Sequence, residues 1–319
     1  MEEALTHCST FAKPNAFQAS LSLAITCGLE GGAIALIYSP LSLLGWILHT
    51  LTLIRVFVQF HDMAHYSFFP SIQLNTFFGE LLGMYLVYPF HAWRLGHNHH
   101  HQHFGILLGE DNSQTILFTK REYEQYNLPT RCLVRILREP FVFFFITVPF
   151  LWIFGTFILY LSRARESPSN VLTKGFGLTL LFCFASTPFL VSYYLSVVIG
   201  AVLFHLQHSV NLPYRKTKEQ WNRNSASLEG STLLHVPFFL KPFTNGIEYH
   251  HIHHLQTLVP SYAIQQCHDT FPNWNLCRIC EVDYDLACQS LSNVMFDEET
   301  GLVVPFSTFA AFAAFFGKN

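Results

Sequence analysis

The chain has 319 residues with a formal net charge of -3, and only 12% of them are charged, against roughly 25% in ordinary soluble domains. Half are hydrophobic, 16% are aromatic and Phe alone occurs 33 times. This composition excludes an ordinary soluble domain, and the near-neutral charge offers no footprint for nucleic acid, so no nucleic-acid partner is expected.

Taken in order, the N-terminus Met1-Glu2-Glu3-Ala4 lacks the basic start and cleavage site of a signal peptide. His7 is expected in a mobile terminus. Residues 17–38 form the first spanning candidate, Ser39-Pro40 a turn, and residues 41–60 the second. Twenty helical residues rise about 30 Å, the thickness of the hydrocarbon core, so the pair reads as a transmembrane hairpin. Arg55 lies near the end of the second span, where its head could snorkel to the interface. The apolar stretch from Ile72 to Phe90 is interrupted by Gln73, Asn75, Glu80 and Pro89. It reads as an interfacial or half-inserted helix. The segment from Gly105 to Glu139 is polar and mixed and should lie in water.

Residues 141–162 and 175–204 are the third and fourth spans, the fourth interrupted by Pro188. The fourth run exceeds what a bilayer needs, so its C-terminal end should project beyond the membrane. The remainder, to Asn319, is mostly polar, ending in an apolar tail from Val303 to Phe316. With four spans, the side holding the N-terminus, residues 67–140 and the C-terminal region carries 14 Lys and Arg. The opposite loop carries Arg163, Arg165 and Lys174. The bias places the larger regions in the cytoplasm. Cys277-Arg278-Ile279-Cys280 has zinc-knuckle spacing but no second such pair, so reduced thiols are expected there.

Eighteen histidines are an excess that needs a reason, and three clusters supply it. His61 and His65 close the second span, four residues apart and so on one helical face. His97, His100 and His101 share the spacing His-x-x-His-His with His250, His253 and His254. His208 stands just beyond the fourth span. A single pair at an interface is ordinarily a solvated or packing pair. Three clusters on one side of the membrane point to one metal centre built from distant parts of the chain. Nine imidazoles are too many for one ion; two metals with four or five ligands each account for the number. Imidazole suits zinc, copper, iron and nickel, so ligand type alone does not select the metal. The register stays open, since His99 and His103 also form an i, i+4 pair and His251 could replace His250. His49, His91, His205, His235 and His268 read as structural or surface residues.

These residues resemble the membrane-bound fatty acid desaturases, specifically their acyl-lipid branch. His61-Asp62-Met63-Ala64-His65 before Ser67-Phe68-Phe69 resembles their first histidine box, with Met63-Ala64 replacing the common Cys-Gly. Trp93-Arg94 followed by His97, His100 and His101 resembles the second box. Asn245 to Leu255, with Val259-Pro260 and Tyr262 after it, resembles the third, though Glu248-Tyr249 stands where many relatives have Gly-Phe. Gln207-His208 and Asp297-Glu298-Glu299 followed by Gly301 are similar to further family features. The resemblance runs from about residue 55 to 305.

The resemblance implies an all-α integral membrane protein, one domain over residues 1–319. Four transmembrane helices would carry a cytosolic histidine-rich di-metal cap of residues 61–140 and 205–319. It implies two iron ions that use dioxygen to remove two hydrogens from an acyl chain. An unactivated methylene has no acidic proton, so this chemistry needs a strong one-electron oxidant and a dry tunnel beside the metals. The implied ligands are His61, His65, His97, His100, His101, His208, His250, His253 and His254. The implied substrate is a membrane lipid or acyl-CoA. Two electrons must come from a separate cytochrome b5 or ferredoxin, because no haem-binding His-Pro-Gly-Gly segment or flavin motif is present. Arg94, Arg215, Lys216 and Lys218 could dock such a donor or lipid headgroups. The compartment would be the endoplasmic reticulum in a eukaryote, the cytoplasmic membrane in a bacterium.

Two rival readings share some of these features. A lipid or carotenoid hydroxylase or ketolase would keep the boxes but add oxygen. A divalent-metal transporter would place its ligands near mid-membrane, usually with carboxylates. Glu30 is the one acidic residue in the four spans.

Overall fold

A computed structural model describes residues 1–107, 118–155, 175, 187–210 and 213–306. The described chain is mostly helical. It begins with α1 (Glu2–Phe11), α2 (Ala16–Ile37), α3 (Ser42–Ala64), α4 (Ile72–Leu86) and α5 (Phe90–His103). After β1 (Phe118–Thr119) come α6 (Lys120–Gln125) and α7 (Leu128–Arg138). Past a mixed helical run, α8 (Thr187–His208) is followed by α9 (Arg223–Glu229), β2 (Thr232–Leu234), α10 (Lys241–Thr244), α11 (His250–Leu255) and α12 (Ser261–Thr270). The chain then forms β3 (Cys280–Val282), α13 (Tyr284–Ser290), β4 (Met295–Asp297) and β5 (Leu302–Val304). The strands make only two small sheets, β1-β4-β5 and β2-β3.

Three described helices, α2, α3 and α8, are long and apolar enough to cross a membrane. Asn15 starts α2 by accepting the backbone N–H of Gln18 at 3.0 Å. At the hairpin, Gly45 lies against the backbone of Leu36 and Ile37, where a Cβ would overlap both. Only glycine lets α3 leave the turn this close to α2.

Helices α3 and α8 run in the same direction. His49 meets Ser192 at one level, while His61 and His208, further along each helix, come to the same histidine-rich end. The described part of α8 begins at Thr187 and includes Pro188. The helix continues unbroken to His208, which carries that imidazole off the end of the apolar run.

Helix α4 runs back along α3. Its Tyr85 hydroxyl reaches Glu30 and His49, a level about 18 Å along α3 from His61. The stretch from Ile72 to Phe90 therefore runs alongside the long helices rather than across their ends, and it is not one helix. It ends in a left-handed Val87 at φ 60°. From there α5 returns toward the histidines, and Gly79 of α4 admits the Phe90 ring where a Cβ would clash.

Two sequence expectations need correction. Arg55 does not snorkel. It is buried, donating from Nε to Thr26 Oγ1 at 2.7 Å, from Nη1 to the Pro242 carbonyl at 2.6 Å and from Nη2 to Ser22 Oγ at 3.1 Å. Burying a guanidinium is tolerable only with such a set of acceptors, and here they tie α2, α3 and α10 together. His7 is not in a mobile terminus. It sits on α1, which packs against α12, and its Nε2 is 3.0 Å from the Cys267 carbonyl. In the mixed segment after Gly105, α7 turns Leu128, Leu133 and Ile136 outward and keeps Arg138 buried.

The expected third span is described only to residue 155. There α-helical turns Pro140–Val142 and Val148–Phe150 alternate with π-helical turns Phe143–Thr147 and Leu151–Gly155. Pro149 cannot donate to the carbonyl four residues back, which favours the wider turn before it. The loop expected from Arg163 to Lys174 and the tail beyond residue 306 lie outside the described residues.

Candidate metal centre

The first box is set by the end of α3. Tyr66 adopts φ 60°, and the N–H groups of Tyr66 and Ser67 reach back to Met63 and Asp62 at 3.0 Å each. This is the Schellman closure of a helix, with tyrosine where glycine is usual. The Arg94 guanidinium covers the Tyr66 ring at 4.2 Å. The closure stops the helix directly after His65, leaving the His61 and His65 rings edge to face on the last turn with centroids 4.9 Å apart.

Helix α5 presents the second box. Trp93, one turn before His97, stacks on its ring at 4.4 Å and 19°. His97, His100 and His101 are buried on one face, while His99 and His103 stack on each other at 4.0 Å on the outer side. The third box occupies α11, whose six residues are all buried. His250, His253 and His254 face the other boxes. His251 turns away, its Nε2 3.3 Å from His268 Nδ1. Of the alternatives left open by the sequence, the structure turns His250 rather than His251, and His97 with His101 rather than His99 with His103, toward the other boxes.

The rings converge into two groups. His61, His65, His97, His101 and His253 bring ligand nitrogens within 4.8 Å of one another, and so do His100, His208 and His254. His250 joins the second group, its Nε2 3.0 Å from His208 Nε2. All nine residues singled out by spacing thus meet at one place. His205 does not: its Nε2 is 2.8 Å from the Ser290 carbonyl. His91 pairs with Glu80 and His235 with Glu281, and His49 bonds Ser192 inside the helices. Cys277 and Cys280 join no metal-competent group among the described residues.

The arrangement fits cations better than hydrogen bonds. A neutral imidazole carries one N–H. His208 Nδ1 lies 3.2 Å from the Gly230 carbonyl, which uses that N–H and leaves an Nε2 lone pair facing His100 Nε2 at 3.2 Å. His65 Nε2 and His254 Nε2 are buried with no hydrogen-bond partner. A buried polar nitrogen left so is costly, and a coordinated metal removes the cost. Burial first, then neighbouring imidazoles, holds His100, His101, His250, His253 and His254 well below the usual imidazole range. They are therefore neutral, the form that binds metal.

Supporting residues escaped the reading of the spacing. Asp62 is buried, and its Oδ2 accepts the Ser261 N–H at the start of α12 at 2.7 Å. Its place beside a box histidine was the available signal. Ser227 donates to the His254 carbonyl at 2.9 Å, and Gln207 donates to that of Ile247 at 3.0 Å. Nothing in the spacing marks Phe104, whose ring lies 4.3 Å from that of His208.

A largely apolar cavity of about 430 Å³ opens beside the histidines. His61, His97 and His250 form its head, and Leu53, Leu86 and Tyr193 line its deeper part. Its size and lining suit a flexible apolar ligand.

Comparison with known proteins agrees with this geometry. The family model described as fatty acid desaturase matches residues 38–274. A "Fatty acid desaturase" of Bacillus subtilis is 28% identical over 263 residues, covering 80% of this chain and 74% of the relative. An "sn-1 oleoyl-lipid 12-desaturase" of Picosynechococcus is 27% identical over 247 residues, covering 72% and 69%. The Synechocystis protein of the same name is 26% identical over 284 residues, covering 81% and 77%. Apolar helices ending in converging histidines, an adjoining apolar cavity and a match across all three boxes lead to one conclusion: the chain belongs to the fatty acid desaturase family, membrane-associated oxidoreductases that use metal and act on lipid.

Proposed function

We propose that this chain inserts a cis double bond into the acyl chain of a membrane lipid, using two iron ions, dioxygen and two electrons from a separate carrier. The observation that carries the reading is the convergence of nine buried imidazoles on the head of an apolar cavity. His61, His65, His97, His101 and His253 would hold one ion, and His100, His208, His250 and His254 the other. With dioxygen, the bound irons would supply the strong one-electron oxidant that an unactivated methylene requires. The chain's own residues do the rest. Leu53, Leu86 and Tyr193 hold the acyl chain and keep water out, Trp93 fixes the His97 ring, and Gly230 fixes the His208 tautomer.

The relatives named for oleoyl-lipid favour a lipid-bound acyl chain over acyl-CoA. The single domain is proposed to cross the membrane four times with its histidine cap in the cytoplasm. Parallel α3 and α8 support this, because the chain between them must return once, and the apolar 140–155 run is placed to do so. The outward Leu128, Leu133 and Ile136 of α7 continue into exposed Phe141 and Phe145, which suits a helix lying at the interface before that crossing.

Lipid profiling after expression in a host with simple saturated and monounsaturated acyl chains tests the reading. New lipids lighter by two hydrogens are expected. Products that gain one oxygen would replace desaturation with hydroxylation, and products that gain one oxygen and lose two hydrogens would replace it with ketolation.

A further inference from the structure

Desaturation leaves an electron deficit. Reducing dioxygen to two waters takes up four electrons and four protons, and the acyl chain gives up two of each. The other two electrons and two protons come from outside, so an electron carrier must approach the histidines closely. Electron transfer falls steeply with distance, and among the described residues two ring paths lead outward from the boxes.

One path leaves the third box. The His251 ring packs against Trp274 at 5.0 Å, and Trp274 stacks on His268 at 5.5 Å and 11°. The charge there is mixed. Asp269, Lys241 and the buried Glu248 line the adjoining cavity, Arg278 is exposed four residues past Trp274, and Glu281 holds His235 at the rim.

The other path leaves between the second box and His208. The buried Phe104 ring lies 4.3 Å from His208, 5.3 Å from His100 and 5.5 Å from His254. Half-buried Trp221 donates its indole N–H to the Phe104 carbonyl at 2.8 Å. Trp221 belongs to the segment 215–223, which carries Arg215, Lys216, Lys218 and Arg223 against Glu219 alone. Lys216, Lys218 and Arg223 are exposed, while Arg215 lies over the Phe104 ring at 4.9 Å. The segment is held against α5's exit. Lys216 N–H donates to the Gly105 carbonyl at 2.9 Å, and its carbonyl accepts from Leu107 at 2.8 Å. Gly105 is left-handed at φ 86°, and a Cβ there would press on the Tyr214 carbonyl at 2.9 Å.

We propose that the 215–223 segment is the docking surface for a small acidic one-electron carrier protein, with Trp221 and Phe104 as the route to the metal centre. Charge selects this face over the Trp274 face. The cations draw an acidic partner and orient it, and the indole couples it to a ring in contact with His208 and two box histidines. The carrier docks twice per turnover and is oxidised by one electron each time; the protons come from solvent. This rests on the reading of the histidines as a redox centre.

The test uses the full-length, metal-loaded protein in lipid nanodiscs, titrated at low salt with a reduced plant-type ferredoxin and with the soluble domain of cytochrome b5. At least one carrier should bind. The triple variant Lys216→Glu, Lys218→Glu, Arg223→Glu should raise its Kd by about tenfold or more, and added salt should weaken wild-type binding in the same direction. Trp221→Leu should bind as wild type yet oxidise the carrier about tenfold more slowly, while Trp274→Leu keeps the wild-type rate. Trp221→Phe, which keeps a ring but loses the N–H, serves if the leucine variant loses its iron. Failure of both carriers to bind, an unchanged Kd in the triple variant, or slowing in Trp274→Leu instead of Trp221→Leu would overturn the proposal. A chain that bound the carrier through this segment yet held no iron would overturn the reading of the site and uphold the docking surface.

Discussion

Asp62 and Ser261 stand 199 positions apart and are joined directly, the buried carboxylate accepting the Ser261 backbone N–H at 2.7 Å. One oxygen of Asp62 thereby fixes the chain after the third box, while the other lies 3.5 Å from His61 Nδ1 in the first. The contact holds two boxes in register at the start of a helix, where a negative charge is favoured.

Asp62→Ala should therefore loosen the site without removing a ligand. A hydrogen bond to a charged group contributes about 1.5–3 kcal/mol, and the melting temperature should fall accordingly. Asp62→Asn keeps an acceptor and should lose less. Thermal unfolding of the purified variants checks this; equal stability of Asp62→Ala and wild type would show the contact to be incidental.

His208 lies outside every box, 42 residues before the His250 whose Nε2 is 3.0 Å away. His208→Ala should abolish desaturation while the protein still inserts and folds. His205→Ala, His251→Ala and His99→Ala should keep measurable activity, since these rings face Ser290, His268 and His103. Product assays at matched expression decide, and a fully active His208→Ala enzyme removes His208 from the site.

Gly230 supplies the carbonyl that takes the His208 N–H. A Cβ there would stand 2.5 Å from Phe104 Cε1 and 2.5 Å from the Ala226 carbonyl. Gly230→Ala should cost about 1–3 kcal/mol from overpacking and lower activity by shifting His208. Unfolding and product assays on the same preparation should move together.

Much of the site was legible in the sequence because coordination needs fixed spacing on a helix. His97 with His101, and His250 with His253 and His254, can share a face in only a few registers, and nine imidazoles had to be divided between ions. What stayed hidden depends on long-range contacts with no local period. The choice of His250 over His251 follows from how α11 docks against His268 and Trp274. Arg55 looked like an interfacial cation because its three acceptors, Ser22, Thr26 and Pro242, come from distant segments. The helix hairpin was readable from length and apolarity. The break at Val87 was not, since a β-branched residue at positive φ is the reverse of what local preference suggests.

Topology has a direct readout. In a background without the exposed native cysteines, Gln102→Cys on α5 should label only from the cytoplasmic side, and Tyr38→Cys in the α2–α3 turn only from the other. Labelling of both from the same side would contradict a hairpin that crosses the bilayer.

The central claim, two irons held by nine histidines, is tested most directly by the metal content of detergent-purified, active protein. Elemental analysis should find two iron ions per chain, five imidazoles serving one and four the other. One iron per chain, or stoichiometric zinc in protein that desaturates, would contradict it.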